Sequence, residues 1–294
     1  MDEATFGDRH GVEVFYRRWS VPEADGIVLL SHGASEHSGR YARFAEALNV
    51  AGFAAYAPDH RGHGRTAQST GNGRMGPPGG QALVDDLDHL VDLALAEHPK
   101  APVLLFGHSL GSLIALAYAT QHDDRIVGLV LCGFPAELET IPAMRDSFGA
   151  APSEMRDHPL ESLAAYNTPF EPARTPFDWL SRDDAEVDRY IADPLCGDDL
   201  PLTFGFVADL YDVVSPAAEV QALTAISCPV LVIAGEQDVA TGMGANTRGL
   251  ERALQAADVR TGNRYYKGAR HELLNETNRD EVTSDVIAWL RERL

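Results

Sequence analysis

The apolar stretch Val103-Leu104-Leu105-Phe106 runs directly into Gly107-His108-Ser109-Leu110-Gly111 and then into a second apolar stretch, Leu113 to Ala119. The first stretch reads as a buried strand and the second as a buried helix, so the pentapeptide must reverse the chain within a few residues. A turn this tight exposes the serine side chain and leaves no room for Cβ atoms two positions to either side, which accounts for Gly107 and Gly111. A chain organised around such a junction folds as layers of strand and helix, with Ser109 at the rim of the sheet.

The flanking sequence repeats the same alternation. Continuous apolar strands are predicted at 27–31, 53–58, 102–107, 126–132 and 229–234, and helices at 41–50, 81–97, 109–121, 244–256 and 280–293. Strands without a wet face that alternate with helices predict an α/β fold: a mainly parallel central sheet covered by helices on both sides. Val12, Val14 and Tyr16 alternate as in an antiparallel strand or hairpin ahead of it. From Phe134 to Ile226 the rhythm stops. That stretch is rich in Pro and aromatic residues and too long for an ordinary loop, so it is expected to be a helical cap at 134–226, inserted into a core of 1–133 and 227–294.

Charge excludes whole classes of partner. Against 24 Lys plus Arg stand 44 Asp plus Glu, for a formal net charge of −20, and this sign repels nucleic acid and anionic lipid headgroups. The acidic residues are scattered, as at Asp85, Asp86 and Asp88, and are read as a solvated face. Cys132, Cys196 and Cys228 are odd in number and far apart, with no CxxC pair, so neither a disulfide framework nor structural zinc is expected. The acidic opening MDEATFGDRHG lacks the features of a secretory signal and no apolar run approaches bilayer length, giving the expectation of a cytoplasmic protein.

A serine hydroxyl is a weak nucleophile at neutral pH and needs a base within hydrogen-bond reach, itself oriented by a carboxylate. The chain order for a strand-serine-helix turn of this kind is Ser, acid, His. Of the 11 histidines, only His271 lies beyond His158, in the loop KGARHELLNE before the last predicted helix, so it is the expected general base. Asp238 follows the apolar strand of VLVIAGEQD, where side chains converge at the carboxyl end of a parallel sheet, and Glu236 is its near competitor as the triad acid. Two backbone N–H groups are expected to receive the developing oxyanion: that of Leu110, just after the serine, and that of Ala34, in the loop after Ser31. His32 is expected to brace that loop.

The segments SHGASEHSGRY, APDHRGHGRT, GHSLG, DPLC, AGEQD and GARHE occur in an order and spacing that resembles the monoacylglycerol lipase and lysophospholipase group of α/β-hydrolases. The resemblance spans most of the chain and is weakest across the cap. It implies the α/β-hydrolase fold and a serine ester hydrolase, with Ser109, Asp238 and His271 in the positions of the triad and Ala34 and Leu110 in those of the oxyanion donors. It also implies that Cys196 stands where the family carries a cysteine near the alcohol site. Arg65 and Thr66 depart from the serine usual after the GHG turn. Glu36, His37, Arg40 and Tyr41 are expected to hold the oxyanion loop, and Asp59, Arg61 and His63 the neighbouring turn.

The substrate expected is a monoacylglycerol or similar lipid ester, cleaved through an acyl-enzyme, with no metal or organic cofactor. Met144, Phe148, Leu163, Phe177, Leu180 and Phe204 in the cap are candidates for an acyl groove, although apolar residues of this kind serve equally as the cap's own core. Any membrane contact would be transient and made through the cap. A short-chain carboxylesterase, a lysophospholipase or a peptidase of the same fold would have the same catalytic residues, and a non-catalytic receptor would not need them.

Overall fold

The computed structural model of the chain describes residues 1–160 and 163–294, without the side chains of residues 163 and 164, so Leu163 as a groove candidate lies outside the described side chains. In chain order the strands are β1 (Asp2–Gly7), β2 (Glu13–Trp19), β3 (Gly26–Ser31), β4 (Phe53–Pro58), β5 (Val103–His108), β6 (Gly128–Cys132), β7 (Val230–Gly235) and β8 (Thr261–Tyr266). The helices are α1 (Ala42–Val50), α2 (Ala67–Thr70), α3 (Gln81–Glu97), α4 (Leu110–Gln121), α5 (Ile141–Gly149), α6 (Asp184–Ala192), α7 (Phe204–Ala217), α8 (Val220–Leu223), α9 (Ala245–Ala256) and α10 (Arg279–Arg291), joined by short 3-10 turns.

The eight strands form one sheet in the order β1-β2-β4-β3-β5-β6-β7-β8. β1 and β2 are antiparallel, β2 meets β4 antiparallel, and every pairing from β4 to β8 is parallel. This is the α/β-hydrolase architecture. Alternation along each central strand divides the core into two layers. Ile27, Leu29, Leu105, Leu129, Leu131 and Val232 pack with α3, α4 and α9, while Val28, Leu30, Phe106, Val130 and Ile233 face Phe44 and Leu48 of α1 and Val282, Val286 and Leu290 of α10. All six residues of β3, β4, β5 and β7 are buried, as expected for parallel strands covered on both faces.

β2 is drier than its simple alternation predicts. Phe15, on the strand face opposite to Val14 and Tyr16, has the guanidinium carbons of Arg17 and Arg65 over its ring, at 4.8 and 4.6 Å from the centroid. α4 is buried on every side from Leu110 to Ala119, because it lies between the sheet and α7, whose Phe206, Leu210, Val213 and Val214 join the same apolar cluster. Between β6 and β7 the described residues contain helices, 3-10 turns and one isolated bridge, Pro159 to Thr203. A separate cluster of Phe177, Trp179, Leu180, Val187, Tyr190 and Cys196 lies in this segment. Among the described residues, no helix is long and apolar enough to cross a membrane.

Candidate active site

Ser109 sits between β5 and α4 with φ 51° and ψ −119°, a conformation rare for a residue with a side chain. Such a residue costs about 1–3 kcal/mol and persists only where the surroundings enforce it. They do so here by close approach. A Cβ on Gly107 would lie 2.3 Å from the Gly111 carbonyl oxygen, and one on Gly111 would lie 2.0 Å from that of Ser31. The Ser109 N–H donates to the Cys132 carbonyl at 2.9 Å, which ties the turn to β6.

Asp238 caps the 3-10 turn after β7, accepting from the N–H groups of Ala240 at 3.0 Å and Thr241 at 3.4 Å, and it is fully buried. Its two carboxylate oxygens stand 2.9 and 3.0 Å from Nδ1 of His271. An acceptor-only carboxylate requires the proton on Nδ1, leaving Nε2 as a bare acceptor on the opposite side of the ring. Glu236 is exposed, with its N–H pairing to the Tyr266 carbonyl at 3.1 Å. Ser109 and His271 line one cavity of about 200 Å³. Among the described residues no hydrogen bond joins the Ser109 hydroxyl to the imidazole, a looseness common where no substrate is bound.

The same cavity is bounded by Ala34 and Leu110. Among the described residues neither backbone N–H has a hydrogen-bond acceptor, and that of Leu110 opens α4, where the helix dipole favours negative charge. The loop carrying Ala34 is rigidly held. His32 Nε2 accepts from the His60 N–H at 2.9 Å, so its proton resides on Nδ1, which donates to the Gly33 carbonyl at 2.7 Å. The Gly33 N–H donates to Glu36 Oε1 at 2.6 Å. A Cβ on Gly33 would lie 3.3 Å from that of Ser109 and 2.8 Å from the Glu36 oxygen, so the loop is pressed against the serine turn.

Four ionisable residues join the oxyanion loop to the histidine loop. Arg40 makes a two-pronged contact with Glu272, NH2 to Oε2 at 2.8 Å and NH1 to Oε1, and reaches Glu36 Oε2 at 3.1 Å. Burial alone would push the Glu36 carboxyl up, but the hydrogen bond from His108 and the Arg40 charge hold it well below the usual range. Sequence reasoning placed Glu36 and Arg40 in this loop but passed over His108 and Glu272, because the latter two sit beside more conspicuous residues. Nothing in the local pattern marks their charges as buried.

The segment 178–182 is bonded to the histidine loop as well: the Glu272 N–H donates to the Leu180 carbonyl at 2.8 Å and Ser181 Oγ to the Asn275 carbonyl at 2.8 Å. Trp179 lies over His271 at 5.1 Å between ring centroids.

Of the acyl-groove candidates, Leu180 borders the cavity beside Tyr166, Trp179, Tyr190 and Tyr211. Phe148 packs on Phe204 at 5.6 Å and on Tyr211 at 5.9 Å, Phe177 on Tyr190 at 5.1 Å, and Met144 is exposed, so these four sit outside the cavity wall.

The neighbouring turn is structural: Asp59 accepts from the N–H groups of Ser38 and Arg65, and Arg61 is held by Asp8 and Asp86. Thr66, where the resemblance expects another residue, is buried, accepts from the Phe15 N–H at 2.9 Å and donates to the Asp59 carbonyl at 2.7 Å.

His37, Asp193 and Cys196 bring ring nitrogen, carboxylate oxygen and sulfur within 4.8 Å of one another. The Gly39 N–H donates to His37 Nδ1 at 3.2 Å and Nε2 contacts Asp193 at 3.0 Å, so the ring proton is on Nε2. A metal on Nε2 would move that proton to Nδ1, against the Gly39 N–H, and burial pushes the Cys196 thiol far from ionising. The set fits a hydrogen-bonded pair beside a neutral thiol. All three cysteines are free and buried.

A parallel sheet that presents a serine on a strained strand-to-helix turn, opposite a histidine-aspartate pair, defines an α/β-hydrolase. The profile of the family described as serine aminopeptidase, S33, matches residues 22–278. The chain is 31% identical over 290 residues to the monoacylglycerol lipase of Mycolicibacterium smegmatis, covering 98% of this chain and 96% of that protein. It is 31% identical over 292 residues to human monoglyceride lipase, covering 96% and 88%. In structure it is similar to a thermostable carboxyl esterase from Bacillus coagulans, with a TM-score of 0.88, 28% identity and coverage of 99% and 98%. The Paleococcus ferrophilus monoacylglycerol lipase follows at a TM-score of 0.70, 28% identity and coverage of 96% and 99%. The chain belongs to the serine aminopeptidase S33 family of α/β-hydrolases and is a carboxylic ester hydrolase.

Proposed function

We propose that the enzyme hydrolyses monoacylglycerols or closely similar lipid monoesters, with Ser109 as nucleophile, His271 as general base and Asp238 as the group that orients it. The observation that carries this reading is the convergence on one cavity of the strained Ser109 turn, the carboxylate-held imidazole and two unpartnered N–H groups. Ser109 Oγ attacks the ester carbonyl as His271 Nε2 takes its proton. The oxyanion of the tetrahedral intermediate settles on the Ala34 and Leu110 N–H groups, each worth about 2.7–4 kcal/mol by the usual measure of such donors. The imidazolium then protonates the departing glycerol oxygen, and water enters by the reverse sequence to release the fatty acid.

The cavity suits a molecule with both polar and apolar parts. Its lining combines Glu36, Tyr190 and Glu272 with Leu113, Pro135, Ala136, Leu180 and Tyr211. Residues 134–226 act as the cap over it. An aminopeptidase would need a free carboxylate to receive the substrate's ammonium group, but Glu36 and Glu272 are both taken up by Arg40. That favours an ester of a neutral alcohol over an amino-terminal peptide.

The test is product analysis by mass spectrometry from a mixed pool of monoacylglycerols, lysophospholipids, acetate esters and aminoacyl amides. Monoacylglycerols are expected to be consumed first. Preferential cleavage of the amides or of the acetates would overturn the substrate assignment.

A further inference from the structure

His108, the residue before the proposed nucleophile, is buried with both ring nitrogens engaged. Nδ1 faces Glu36 Oε1 at 3.3 Å and Nε2 faces the His271 carbonyl oxygen at 3.2 Å. Both partners are acceptors only: a carboxylate and a carbonyl offer no proton to the ring. A neutral imidazole has one N–H and one bare nitrogen, so either tautomer would set a lone pair against an oxygen lone pair in a dry site. Only the imidazolium satisfies both contacts.

The surrounding charges agree. The groups that face this site are Glu36 and Arg40 from the oxyanion loop, Glu272 and His271 from the histidine loop, Tyr41 from the turn before α1, and Cys132 at the end of β6. Glu36 and Glu272 share the single guanidinium of Arg40, leaving one negative charge over. Tyr41 and Cys132 are both pushed far from ionising, burial being the largest cause. A cation at His108 brings the group to neutrality, as a buried charge cluster requires. Burial alone would push His108 down, but the Glu36 hydrogen bond and charge outweigh it and raise it above the ordinary histidine value.

We propose that His108 is a positioning residue which, as an imidazolium, clamps the oxyanion loop to the histidine loop and keeps a second proton off the neighbouring His271 ring. The clamp runs from the Gly33 N–H through Glu36 to His108 and on to the carbonyl of His271 itself. The two imidazole centroids are 4.7 Å apart, within range for like charges to oppose one another in a low-dielectric site. The general base is thereby kept as a bare acceptor, while Asp238 on its far side stabilises the charge it acquires during reaction. The inference rests on His271 being the base, as proposed above.

Its primary test needs no turnover. In full-length protein labelled with 15N histidine and carrying S109A, the His108 ring is assigned through its own Cβ and followed by NMR from pH 6 to 9. Both ring nitrogens are expected to stay protonated at pH 7.5. A non-protonated nitrogen shift for His108 at pH 7.5 overturns the proposal, whatever the enzyme hydrolyses.

The second readout is the pH profile of H108Q, which keeps one hydrogen bond and loses the charge. kcat/KM is expected to fall about 10- to 100-fold, the loss typical of a charged hydrogen bond, with the acid limb displaced to higher pH. A loss of rate with an unmoved acid limb would reduce His108 to packing and sink the electrostatic half of the proposal. Loss of all activity in S109A with a neutral His108 would leave the catalytic assignment standing while removing this one.

Discussion

His271 Nδ1 and the Asp238 carboxylate meet at 2.9 and 3.0 Å across 33 residues of chain, the two groups coming from loops at the ends of adjacent parallel strands, β7 and β8. The pairing fixes the tautomer of the proposed base. D238N would put an amide beside Nδ1 and allow the opposite tautomer, with the proton on Nε2 where the serine proton must go. Steady-state kinetics at neutral pH should show kcat reduced by about 10⁴-fold, the size of the effect in the serine protease that carries the same substitution. A loss below tenfold would mean that Asp238 only caps its turn.

The glycine at the far side of the serine turn is a packing requirement. G111A would place a methyl 2.0 Å from the Ser31 carbonyl oxygen and force β3 away from α4. Urea unfolding should reveal a loss of about 1–3 kcal/mol or more. Unchanged stability would show that the strand-helix contact yields easily, contrary to the account of why Ser109 stays strained.

Three histidines under the oxyanion loop give acid sensitivity. Burial depresses His32, His60 and His63 below the ordinary value, His63 to about 3. A histidine whose folded value is depressed contributes stability that is present above the unfolded value of about 6.5 and is lost as pH falls toward the folded one. His108, raised instead, is protonated in both states below about pH 6.5 and adds no slope there. Unfolding free energy should therefore fall between pH 6.5 and 5, by up to about 1.4 kcal/mol per pH unit from His63, with His60 and His32 acting in the same direction. A flat profile over that interval would contradict the neutral, buried state of the three rings.

Among the described residues, Leu180 is the one cap residue foreseen as a groove candidate that borders the cavity. L180A should weaken kcat/KM for long-chain monoacylglycerols by up to about 2 kcal/mol, or roughly 30-fold, from lost apolar contact, while leaving acetate esters near the parent rate. A nitrophenyl ester series from two to sixteen carbons checks this. Equal losses at every length would place Leu180 in the cap's framework instead of against the acyl chain.

The sheet was legible because its strands are buried on both faces. Val103 to Phe106 and Val230 to Ala234 are unbroken apolar runs that no half-wet element would carry. β8 is harder to read: it is the edge strand, and Thr261, Asn263 and Arg264 carry no clear alternation. The residues proposed for chemistry were readable from position, since GxSxG, AGEQD and the last histidine follow the carboxyl ends of strands.

What the sequence left hidden depends on tertiary burial. His108 and Glu272 are ordinary polar residues in a linear reading and join Glu36 and Arg40 in one buried cluster only once two loops are folded together. In the insertion, aromatic residues were visible but not their direction, so Phe148 and Phe204 were indistinguishable from the wall-forming Trp179 and Tyr211.

The most direct test of the catalytic account is covalent labelling of the intact enzyme with a fluorophosphonate, followed by peptide mass spectrometry. The account predicts a single adduct on Ser109 with complete loss of monoacylglycerol hydrolysis, and neither labelling nor hydrolysis in S109A. An adduct on another residue, or hydrolysis that persists in S109A, would contradict it.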